Sequence, residues 1–182
     1  MDELKTALRK GLIASYKDAY LESTDTWKNL ETKAQATIAI AGVLVAAVVA
    51  FIEKLTLVFV TLQGVLLAVA VAFLLYSIYY AIMVLKIQHT DAPPYGDFLN
   101  ETIQRLLTMS DENELKERAE ILDAEVIAAW GQVTAKTRTI VKQKAKALWD
   151  SQICLIAAIV TGGIVAIIQV LSRALAASGV GQ

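Results

Sequence analysis

Long apolar runs alternate with charged blocks along this chain. No Asp, Glu, Lys or Arg occurs in Ala34–Ile52, Leu55–Leu85 or Ser151–Ser172, runs of 19, 31 and 22 residues. A bilayer hydrocarbon core ~30 Å thick takes about 20 apolar helical residues at 1.5 Å each, so every run is long enough to cross. In lipid such isolated runs must be helical, because each backbone N–H and C=O has to be paired within its own segment. None shows the alternating polar pattern of a transmembrane barrel strand. The pattern predicts an all-α integral membrane protein, with three transmembrane helices and a cytoplasmic helical bundle, the helices continuous between the two.

The charged blocks carry helical patterns of their own. Leu4, Leu8, Leu12, Tyr16 and Tyr20 recur at steps of four without proline, which predicts an N-terminal helix over 1–33 running on into a first span at 34–52. The second span is expected over 55–80, with a cytoplasmic extension to about residue 89. Its apolar run makes roughly 46 Å of helix, about 15 Å more than the hydrocarbon requires. Ala81–Ile87 should therefore project beyond the membrane and be covered there by other protein. Pro93 and Pro94 then break the chain, since proline fixes its own backbone and biases the preceding residue away from helix. A short helix at Asp97–Met109 should follow. Ser110, Asp111 and Glu112 offer a cap and first-turn carboxylates for a new helix. Leu115, Ala119, Leu122, Val126, Ala129, Val133 and Ile140 give that helix a four-three seam, interrupted at Lys136, of the kind that packs as a coiled coil. The helical region over 90–148 leads into a third span at 149–173 and a short extracytoplasmic tail, 174–182. Gly131 is the weakest point of helix continuity, at about 1 kcal/mol relative to alanine.

Composition and charge add orientation. Hydrophobic residues are 56% of the chain and mean hydropathy is +0.52, too apolar for a soluble domain of this size. Net charge is −1, so any anion-binding role must come from local clustering. The first 33 residues hold six acids and six bases, unlike the short basic lead of a cleaved signal peptide, and the first span is expected to be retained. Residues 86–149 hold nine bases, against only Lys54 between the first two spans and Arg173 in the tail. The positive-inside rule places both base-rich blocks, with the N-terminus, in the cytoplasm, and the C-terminus outside. Tyr76, Tyr79, Tyr80 and Trp149 mark the inner headgroup layer.

Candidate chemistry is sparse. His89 has no neighbouring ligand set for zinc, no glycine-rich phosphate cradle is present, and Cys154 lies alone in the third span, where it reads as a small packing residue. No catalytic residue, metal site or cofactor is expected, and an enzyme is the least supported class. Gly162-Gly163 and the Gly42, Ala46, Ala47, Ala50 stripe read as close-packing faces. Lys136, Arg138, Lys142, Lys144 and Lys146 place five bases in eleven residues. Juxtamembrane bases of this kind contact anionic headgroups. Repeated by symmetry, they instead form a basic ring able to hold a phosphate-rich ligand, with Arg105, Arg118, Arg138, Lys142 and Lys146 as its candidate residues. Gln63, Gln169 and Thr61 are polar positions within the spans, with Glu53 at the outer turn. They are interhelical hydrogen-bonding groups or part of a narrow pore.

Two short motifs carry a family resemblance. Trp27…Leu30-Glu31-Thr32-Lys33-Ala34-Gln35-Ala36 leads into the first span, and Lys142…Lys146-Ala147-Leu148-Trp149 leads into the third. Both resemble the span entries of bacterial defence membrane effectors, the SLATT-type and Pycsar transmembrane families; the Hailong type is similar in build. The resemblance implies an anti-phage effector of the bacterial inner membrane, silent until a nucleotide-derived signal changes, which then permeabilises or depolarises the membrane and arrests the infected cell. It also implies a nucleotide or oligonucleotide as regulatory ligand and a nucleotidyltransferase or cyclase encoded nearby. This chain has no separate cyclic-nucleotide-binding domain between Lys86 and Trp149, so any nucleotide must bind the helical layer itself. Three spans are too few to surround a conducting path, and a cyclic homo-oligomer in the bilayer is expected, a tetramer among the candidates. A ligand-independent holin-like channel and a membrane-anchored helical scaffold for a cytosolic partner are the alternatives.

Overall fold

A computed structural model describes residues 2–52, 60–86, 104 and 112–178, with side-chain environments for 6–50, 62–86, 104 and 116–174. Three long helices account for nearly all of it: α1 (Asp2–Ile52), α2 (Val60–Leu85) and α3 (Glu112–Ser178). No strand occurs among the described residues, and all three helices contain a segment long and apolar enough to cross a membrane. The chain is an all-α membrane protein. Its only prolines, 93 and 94, fall outside these helices, so nothing removes a backbone donor inside them. Several helical hydroxyls are satisfied locally: Thr37 donates to the Lys33 carbonyl and Thr161 to that of Ala157, as Ser and Thr do in apolar helices.

The helices run further than the apolar runs. α1 is 51 residues and α3 67 residues, each more than twice the about 20 that a bilayer needs. Gly131 does not interrupt α3; the Tyr16 ring lies 3.6 Å from the place of a Cβ on it. The expected helix at 97–109, the Pro93-Pro94 break, His89 and the Ser110 cap lie outside the described residues, apart from helical Gln104.

The chain packs as two compact units, Met1–Lys28 with Ile87–Gln143, and Asn29–Lys86 with Lys144–Gln182. In the first, Trp130 is the largest buried side chain and meets Tyr20 edge to face at 5.8 Å. Val133, Thr134 and Thr137 continue the buried face. Arg9 lies 3.6 Å from Asp123 and 3.9 Å from Glu120, partly exposed contacts that contribute little. The step-of-four stripe at the N-terminus follows the inner face only in part: its Tyr16 and Tyr20 are partly covered, together with Arg9 and Ile13, but its Leu8 and Leu12 are exposed, at 66% and 43%. A strict step of four drifts around a helix, and packing selects the alternating three-four positions instead. The predicted seam on α3 is largely the covered face: Val133 is buried and Leu122, Val126, Ala129 and Ile140 are partly covered, whereas Ala119 is exposed and Trp130 and Thr137, outside that seam, are buried beside it.

The second unit holds α2 against the C-terminal part of α1 and the larger part of α3. Every buried residue of α2 (Gln63, Leu67, Ala70, Leu74, Ser77, Ala81 and Val84) follows steps of four and three. On α3 the buried positions Lys144, Ser151, Ala158 and Val165 recur every seven residues. This is the repeat that knobs-into-holes packing uses. Two apolar layers result, one of Ala34, Ala81, Val84 and Leu148, the other of Ala41, Leu74 and Ala158. The inward face of the Ala81–Leu85 segment is thus covered by α1 and α3, while Ile82 and Met83 stay exposed.

Candidate functional site

The two span-entry motifs meet in the second unit. Leu30, Ala34 and Ile38 pack with Ala147 and Leu148 in one layer, and beside it the Lys144 ammonium donates to Glu31 Oε1 at 2.6 Å. The Lys144 side chain is only 3% exposed and that of Glu31 33%. Helix spacing explains the arrangement. Glu31 lies three residues before the buried Ala34, and Lys144 four before the buried Leu148, so both project from the packed faces of their helices. A charge this buried needs such a partner, because desolvation without one costs several kcal/mol. Lys144 is therefore removed from the basic cluster read in the sequence and belongs to the junction of α1 and α3.

Polar side chains line the interior of this unit. Ser151 Oγ donates to the Ser77 carbonyl at 2.7 Å and lies 3.2 Å from Ser77 Oγ. With its one proton used on the carbonyl, Ser151 accepts from the Ser77 hydroxyl. Thr37 is buried on α1. Gln63 and Gln169, singled out in the sequence, are buried at 5% and 7% exposure, and Gln169 Oε1 has no hydrogen-bond partner among the described residues. Thr61 belongs to α2, but its side chain, like all of Glu53, lies outside the described residues. An apolar cavity of about 320 Å³ opens among the three helices, lined by Ala47, Ala70, Leu74, Ala158, Gly162 and Gly163 among others. Small residues create it by withholding side-chain volume.

The basic candidates differ in setting. Arg138, Lys142 and Lys146 are exposed on α3, at steps of four that put them on one helix face. Arg118 is exposed but has an interaction partner. Arg105 lies outside the described residues. Sequence reasoning did not find the Glu31–Lys144 pair or the Ser77–Ser151 pair. Neither Lys144 nor Ser151 stood out, because 12 of the 19 residues from 134 to 152 are polar or charged.

A membrane protein with three helices of spanning length among the described residues, two of them extending well beyond their apolar segments, is the class these features define. The model of the Pycsar effector protein domain, PycTM, matches residues 16–171, well over half of the chain and both span-entry motifs. The protein belongs to this family and is a transmembrane effector of anti-phage defence. No curated protein and no solved structure matches the chain.

Proposed function

We propose that this effector is a gated homo-oligomer of the bacterial inner membrane, with a cytoplasmic N-terminus and an extracytoplasmic C-terminus. A nucleotide-derived signal controls it, and its active state permeabilises or depolarises the membrane. The family match over residues 16–171 carries this reading. Two features of the chain support it. Helices α1 and α3 pass without a break from charge-rich segments into apolar ones, so a change in packing of the former can reach the latter as tilt or rotation. Arg138, Lys142 and Lys146 are exposed with no ion pair to a described residue; they are the phosphate-contacting bases, with Arg105 and Arg118 as further members of a ring repeated by symmetry. A ligand shifts such an equilibrium only by binding one state more tightly.

Reconstitution tests the proposal. Purified protein in vesicles with a potassium gradient should show flux that changes about tenfold on adding cyclic mononucleotides or short oligonucleotides, a coupling of roughly 1.4 kcal/mol. Arg138→Glu with Lys142→Glu should abolish that response and leave the spans intact. Equal flux with and without every nucleotide tried favours the holin-like channel. Absence of flux in all conditions favours the scaffold.

A further inference from the structure

The described exterior along the middle of the spans offers ions no polar lining. Across 38–50, 62–75 and 153–171, no polar side chain is exposed. An assembly that joins these exteriors around an axis encloses a wholly apolar channel, which dewets and stays closed. Five polar side chains lie inside the second unit on inward positions: Thr37, Gln63, Ser77, Ser151 and Gln169 are buried, whereas Thr161 is partly covered and Gln35, Tyr76 and Tyr79 are exposed toward the proposed cytoplasmic ends.

We propose that these five residues are the ion pathway of the conducting state, sealed within each protomer at rest and turned onto a shared water-filled axis on opening. The inference rests on the reading that the protein permeabilises membranes, and it assigns the site for hydrated ions. Three observations carry it. Gln169 Oε1 is buried and without a partner among the described residues, a defect that water in an open path removes. The helices there leave room between them, since the roughly 320 Å³ cavity is lined by glycine and alanine at half of its positions and a Cβ built on Gly162 or Gly163 meets nothing within 4 Å. The seam has its own latch, the Ser77–Ser151 hydrogen bonds between α2 and α3.

A reversible lock provides the test. The two serine oxygens are 3.2 Å apart, close enough for cysteines there to bridge after a small adjustment. Ser77→Cys with Ser151→Cys, in a Cys154→Ala background, should crosslink in the resting protein. The oxidised form should then lose at least about tenfold of the vesicle flux or cellular depolarisation (~1.4 kcal/mol), and a reductant should restore it. Gln169→Leu, which removes the orphaned oxygen, should also lower flux. The inference is overturned if the crosslinked protein conducts as well as the reduced one, if the thiols fail to bridge at rest, or if Gln169→Leu leaves flux unchanged. A Cys154→Ala parent that never conducts defeats the proposed function itself, and the pathway with it.

Discussion

Glu31→Gln should destabilise the second unit more than Lys144→Met, although both break the same 2.6 Å contact. The asymmetry follows from burial. Lys144 is 3% exposed and Glu31 33%, so losing the carboxylate leaves a desolvated ammonium, whereas losing the ammonium leaves a carboxylate that water already reaches. Breaking a fully buried pair costs about 3 to 5 kcal/mol and an exposed pair contributes at most about 1 kcal/mol. Glu31 sits between those limits, which puts Glu31→Gln at about 2 kcal/mol once solvent screening is allowed for. Methionine refills the lysine stem without a charge, so Lys144→Met should cost about 0.5 to 1 kcal/mol. The double variant should fall near the methionine single, with a coupling of about 2 kcal/mol. Unfolding in mixed detergent micelles, followed by far-ultraviolet circular dichroism, measures all three. Strict additivity, or a larger loss for Lys144→Met than for Glu31→Gln, refutes the reasoning.

Other substitutions probe the remaining packing. Trp130→Ala removes a side chain only 2% exposed together with its Tyr20 contact, and should cost about 3 to 5 kcal/mol, seen as early proteolysis at residues of the first unit. Gly131→Ala should stabilise α3 by up to about 1 kcal/mol in a thermal melt, because helix propensity improves and the added methyl meets the Tyr16 ring at an ordinary 3.6 Å. Ser151→Ala should cost roughly twice as much as Ser77→Ala, at about 0.6 kcal/mol per interhelical bond in a membrane. Ser151 makes two contacts, and one of them, to the Ser77 carbonyl, survives the change at 77; a larger effect from Ser77→Ala contradicts this donor assignment.

The sequence alone determined the membrane character of the chain, its three apolar spans and the continuity of its long helices. Those properties depend on sums over many residues: hydrocarbon thickness sets run length, and lipid allows an isolated run no conformation but helix. The family was also legible, through the Leu30–Ala36 and Lys142–Trp149 motifs. Which face of each helix turns inward was not. In a span nearly every residue is apolar, so hydrophobic periodicity cannot mark the buried side as it does in water. The stripe through Leu8 and Leu12 misled for a related reason, since steps of four and of alternating three and four look alike over two turns. Only tertiary packing selected the seven-residue seam. That seam brought Glu31 to Lys144 and Ser77 to Ser151 across 113 and 74 residues of chain, and it moved Lys144 from an apparent ligand cluster into a buried pair. Desolvation makes such pairings specific, and it acts only on groups that the assembled helices have already brought together.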